Sequence, residues 1–260
     1  MSFVVRRGKR WRRAASAMII CLLVITVESA APPAARAADA TGNAYASIAA
    51  DYRQGDFGTS VNTELYSLTP EFGYVSDSYD VSASIPFHNL RVSGGGVSSS
   101  ASGIGDAVLS AGRRLWRDER SRASLRGALR LKLATGDENK GLGTGATDIG
   151  FFLSATRKAG DNAFTVLAGY TEVGEPAGVT YDNVISYGVG VNHSFSRTNV
   201  FASLQGQTSA LPGGTAPLEC DAGFFNIMSL EYVFIAHAFV GLSNGSPDGG
   251  LGIGLVRWLR

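Results

Sequence analysis

The chain is poor in cysteine, lysine and histidine, and beyond its first thirty or so positions it has no long apolar run. Its two cysteines are Cys21 and Cys220. Cys21 falls inside an N-terminal apolar stretch with no lipobox around it, which argues against a lipid anchor. Cys220 then stands alone, which excludes an intrachain disulfide framework. Lysine occurs four times and histidine three times (His88, His193 and His237), without metal-ligand spacing. The missing apolar run excludes a spanning helix, which needs about 20 such residues. Any membrane span must therefore be built from strands, because the other way to satisfy every backbone group in lipid is a closed barrel. Helix-period apolar stripes are also hard to find after Ala40.

The N-terminus reads as an export signal over residues 1–37. Arg6, Arg7, Lys9, Arg10, Arg12 and Arg13 form a basic head. An apolar run from Ala14 to Val27 follows, with small-residue sites at Ala35-Arg36-Ala37 and Ala38-Asp39-Ala40. The alternative is a basic amphipathic arm. Seven of the 23 Lys and Arg and one of the 22 Asp and Glu lie in this segment, so the remainder carries a formal charge of −5. An acidic remainder argues against a nucleic-acid partner.

What is present is glycine, at 33 of 260 residues, and alternation. From Ser124 to Leu133, Leu125, Gly127, Leu129, Leu131 and Leu133 share one face, while Ser124, Arg126, Ala128, Arg130 and Lys132 share the other. Successive side chains of a strand point to opposite faces, so this is one apolar wall and one cationic wall. Ile149–Ala155, Phe164–Tyr170, Ile185–Val191 and Val200–Leu204 repeat the pattern. Segments of about ten alternating residues separated by turns predict a transmembrane antiparallel up-and-down β-barrel over residues 41–260, all-β, with about twelve strands.

The connections alternate in length as well. Short links at Val75-Ser76, 117–122, 158–161 and 195–197 intervene between long ones at 91–105, 135–146, 174–181, 209–221 and 243–248. Bacterial barrels have short periplasmic turns and long outer loops. Gly94-Gly95-Gly96-Val97-Ser98-Ser99-Ser100 reads as a flexible outer loop. A soluble sandwich or lipocalin-like barrel also alternates, but its outer face must be polar. Aliphatic residues toward lipid and small polar residues toward a lumen account for these strands more economically.

The stretch Leu68 to Phe87 combines a strand ending in Tyr74, a Ser-Asp turn, and a strand ending in Pro86-Phe87. With Gly103-Ile-Gly-Asp106, Leu131-Lys-Leu-Ala-Thr-Gly-Asp137, Leu142-Gly-Thr-Gly-Ala-Thr-Asp148, Gly169-Tyr170 and Gly241-Leu-Ser-Asn-Gly-Ser-Pro-Asp248, it resembles the outer-membrane transporters grouped as the phenol meta-degradation-pathway family. The resemblance runs from about residue 60 to the C-terminus. It implies a barrel in the bacterial outer membrane that passes small, often aromatic or hydrophobic, molecules. Such barrels usually end in an aromatic residue, whereas this chain ends Val256-Arg-Trp-Leu-Arg260.

Among candidate site residues, Arg126, Arg130 and Lys132 are expected to face the lumen, with Arg113, Arg114 and Arg117 nearby. Asp106, Asp148 and Glu231 are candidate partners, along with Glu64 and Asp80. Such charges form either a selective constriction, as in pores, or a structural network in which each buried charge is paired. A hydrolase using His237 or His193 is a third alternative, against which stands that His193 and Ser194 are adjacent and point apart. Asp137-Glu138 lacks calcium-site spacing, and the glycines of 142–146 lack the helix of a phosphate loop. Tyr66, Phe72, Tyr74, Tyr170, Tyr187, Tyr232 and Trp258 suit interfacial girdles, or in part fill the lumen. The expected whole is a passive channel with no catalysis, metal or cofactor. Its partners are outer-membrane lipid and lipopolysaccharide, the barrel-insertion machinery and a small solute. A plugged structural barrel is the alternative.

Overall fold

A computed structural model describes residues 42–259. The predicted export signal lies outside the described residues. Fourteen strand segments form one antiparallel sheet. They are β1 (Asn43–Gly55), β2 (Val61–Val75), β3 (Tyr79–Ser84), β4 (Phe87–Gly94), β5 (Val97–Ile104), β6 (Ala107–Asp118) and β7 (Ala123–Leu133). Then follow β8 (Asp148–Ala159), β9 (Asn162–Glu172), β10 (Val184–Phe195), β11 (Thr198–Gln207), β12 (Leu218–Ile227), β13 (Tyr232–Gly241) and β14 (Gly249–Leu259). β1 pairs with both β14 and β2, which closes the sheet.

Two pairs of segments are single strands with a break. β2 pairs with β3 through Glu71–Val75 and with β4 through Val61–Leu68, so β3 and β4 continue one another. β5 pairs with β4, and β6 pairs with β3, in the same manner. The barrel therefore has twelve strands. The first break falls at Ile85-Pro86, where proline has no N–H for the ladder. The second falls at Gly105-Asp106, where Gly105 lies against the His88 ring and its N–H donates to the Pro86 carbonyl at 2.8 Å.

This corrects one expectation. The stretch 91–105 is a two-stranded hairpin extending the wall, and the expected flexible loop shrinks to a turn at Gly95-Gly96. Gly94, Gly95 and Gly96 all have positive φ, which the alternation of the flanking residues gives no hint of. The other connections keep the predicted rhythm. Short turns at 76–78, 119–122, 160–161, 196–197 and 228–231 lie at one end, and longer loops at 56–60, 134–147, 173–183, 208–217 and 242–248 at the other.

The register sorts side chains as the alternation implies. Phe72, Phe151, Leu153, Val166, Ile185, Val189, Leu251 and Ile253 stand out from the wall, Phe72 at 64 % exposure. A continuous outer band of this kind is tolerable in lipid and not in water. The inner face is less uniformly polar than expected. At the short-turn end, Phe225, Val233 and Val256 form an inward apolar cluster with Tyr45, Phe201, Ile235 and Trp258. Trp258, for which the sequence leaves girdle and lumen both open, takes the lumen and packs edge-on to Tyr45 with ring centroids 5.6 Å apart. A twelve-stranded lumen is narrow enough for side chains from opposite walls to meet, so apolar residues can be buried there.

Candidate functional site

The site is built from inward positions near the loop ends of the strands. Lys132 is the penultimate residue of β7, and its neighbour across the ladder is Asp148, the first residue of β8. The Lys132 ammonium lies 2.7 Å from Asp148 Oδ2 and 3.7 Å from Asp106 Oδ2, and it donates to the Thr144 hydroxyl. All four residues are buried. A buried ammonium between two carboxylates avoids the several kcal/mol that an unpaired ion would cost.

Asp106 also holds the loop 134–147 down into the barrel mouth. Its carboxylate accepts from the Gly136 and Thr144 N–H groups, each at 2.9 Å. A Cβ on Gly143 would collide with Asp106 Oδ1, so glycine is needed for that approach. Leu142, from the same loop, is buried with Leu65, Leu90 and Val92. The three glycine-containing stretches noted in the sequence, ending at Asp106, Asp137 and Asp148, thus meet in one cluster.

A second ion pair stands across the lumen. Arg53 of β1 donates to Glu219 of β12 at 3.2 Å, with its guanidinium 4.1 Å above the Phe239 ring. Gly250 leaves room for that ring, since a Cβ there would strike it. Between the two ion pairs, Thr171, Ser186 and Gln207 point inward from β9, β10 and β11. His88, on β4, accepts or donates to the Ser67 hydroxyl at 2.8 Å. Barrel strands tilt, so level neighbours are offset from their ladder partners. With that offset, these residues form one transverse layer, a septum in which none is more than 8 % exposed.

On the short-turn side of the septum lies a cavity of about 350 Å³. Arg126, Arg130, Phe152 and Gln205 line it, and it reaches the turn at Ser76–Ser78. Arg126 grips Asp80 through two bonds, Nε to Oδ1 at 2.9 Å and Nη2 to Oδ2 at 2.5 Å, a geometry suited to carboxylate recognition. Gly112 of β6, opposite Asp80, clears space for that guanidinium. Arg130 lies 5.0 Å above the Phe152 ring.

The predicted residues therefore divide. Asp106, Lys132 and Asp148 meet in the septum, while Arg126 and Arg130 line the cavity below with Asp80. Arg114 also lines the cavity, 3.9 Å from Asp77 near the short-turn end. Glu231 does not join them: it sits in the turn 228–231, where its carbonyl accepts from the Trp258 N–H at 2.8 Å. Arg113, exposed on β6, and Glu64, one residue from inward Leu65, belong to the outer face. Alternation could not separate turn from lumen at Glu231, because the apolar spacing breaks off there. Arg53, Glu219, Gln207 and Thr144 were missed, since each is a lone polar residue in the sequence until strand pairing and loop packing set it beside its neighbours.

Neither histidine named for hydrolysis is set up for it. Both ring nitrogens of His237 face carboxylates, Asp221 at 2.8 Å and Asp51 at 3.3 Å. His193 bonds Asn162 and packs on Phe195. Among the described residues, no group of His, Cys, Asp and Glu is arranged to hold a metal ion.

A family model described as "Putative MetA-pathway of phenol degradation" matches residues 35–214. The chain belongs to this family. No curated protein matches it. Among solved structures, the translocator domain of autotransporter NalP from Neisseria meningitidis is similar at 13 % identity and a TM-score of 0.57, covering 94 % of this chain and 96 % of that one. The NanC porin gives 11 % and 0.54, covering 82 % and 100 %. The KdgM porin in complex with disordered oligogalacturonate gives 6 % and 0.54, with the same coverage. At these identities the shared property is the outer-membrane barrel fold.

Proposed function

We propose that this member of the phenol-degradation family is an outer-membrane channel for passive passage of small molecules, aromatic or hydrophobic ones among them. The observation that carries the proposal is the division of the lumen into a cavity of about 350 Å³ and a one-layer septum. The septum's groups are held by ion pairs and hydrogen bonds, which can part and re-form, whereas an apolar core closed throughout could not exchange with water. The chain reaches its membrane after export and loss of residues 1–37, with the barrel-insertion machinery as a transient partner and lipid and lipopolysaccharide around its apolar band.

The buried ion pairs also favour a second reading, a permanently plugged structural barrel. Planar bilayers separate the two. Refolded protein should give discrete conductance steps, and excision of 136–144 should enlarge them by removing the part of the loop that Asp106 holds. Silence from both proteins overturns the channel and leaves the plug.

A further inference from the structure

The septum is not uniform. On the side of β7 and β8 each buried charge has a protein partner. On the side of β9 to β12, several inward polar atoms have none among the described residues. Near the septum these are Thr171 Oγ1, Ser186 Oγ, both amide atoms of Gln207, Gln205 Oε1 and Glu219 Oε1; Asp221 Oδ1, further toward the short turns, is another. Gln207 is fully buried, and Thr171, Ser186 and Glu219 are nearly so. Native proteins leave few such atoms unpaired, because each costs about 1–3 kcal/mol.

The register makes these residues neighbours. Ser186 stands opposite Gln207, and Gln205 stands opposite Glu219. Thr171 is one inward step from Gly169, which is opposite Ser186. Gln205 lines the cavity, so the strip starts at the cavity roof. Its open atoms are mostly acceptors. Arg53 reaches Glu219 through Oε2, which leaves Oε1 available, and the two amide carbonyls add neutral oxygens. Only the Gln207 amide nitrogen is a donor and nothing else; the two hydroxyls can serve either way. An oxygen-rich set with one unspent carboxylate oxygen suits a positively charged guest.

We infer that Thr171, Ser186, Gln207 and Glu219 form a binding subsite for a monovalent cation, and that this strip is where ions cross the septum. The second half rests on the channel reading; the first half does not. Potassium is the probe. In detergent, potassium chloride should raise the temperature at which the folded protein loses its compact gel mobility, relative to N-methylglucamine chloride at equal ionic strength. Gln207→Leu, close in volume, should abolish the difference, and Thr171→Val should reduce it should the first variant fail to fold. Equal behaviour in the two salts, or an undiminished potassium effect in a folded variant, overturns the subsite.

In bilayers, the reversal potential in a potassium chloride gradient should show several-fold preference for potassium over chloride, falling toward parity in Gln207→Leu. Potassium-dependent stability without conductance would sink the channel reading and keep the subsite. Conductance without ion preference, in a protein that potassium does not stabilise, would sink the subsite and keep the channel.

Discussion

Lys132 shows how one residue's meaning changes with its surroundings. In the sequence it is the last member of a basic stripe with Arg126 and Arg130, and the three look equivalent. In the barrel, Lys132 is the buried centre of the septum cluster, while the two arginines line the cavity below it. Lys132→Met should cost about 3–5 kcal/mol, because it strands Asp106 and Asp148 as buried, unbalanced carboxylates. The urea midpoint for folding into lipid vesicles would measure the loss, and an unchanged midpoint would show that the cluster is solvated. Gly112→Val should cost roughly 1–3 kcal/mol by driving the Arg126 guanidinium off Asp80. Ala111→Val, one residue away and facing outward, should leave the same midpoint within experimental scatter.

At the scale of the element, each strand separates two environments, and β8 tests the separation directly. Leu153 faces outward, and Ser154 beside it lines the cavity. Leu153→Arg should lower folding stability in vesicles by about 2–4 kcal/mol, the cost of a cation near the bilayer midplane. Ser154→Arg should cost much less. Equal losses at both positions would mean that no lipid meets this face. The strand pattern was legible because a period of two survives any curvature of the sheet. The breaks at Pro86 and Gly105-Asp106, and the hairpin of β4 and β5, were not legible. A serine- and glycine-rich stretch has the composition of a loop, and only its pairing with β4 makes it wall.

For the whole molecule, the decisive property is where the apolar surface goes. The folded protein should run faster on gels before heating than after, and it should fractionate with outer membranes. A monomer that folds in buffer without detergent would be incompatible with the exposed band of Phe72, Phe151 and Val189. Alternation, loop rhythm and the lack of a spanning helix determined the barrel, its strand number and the inward direction of Arg126, Arg130 and Lys132, because these follow from local geometry. Which inward residues meet was decided by strand register, and for Arg53 only when β1 closed on β2 and β14. Closure set Arg53 against Glu219 across 166 positions of chain, while the neighbouring hairpins of β6, β7 and β8 brought Asp106 and Thr144 to Lys132. A strand's period tells which face a residue takes, but its height in the barrel depends on the tilt and stagger of every other strand.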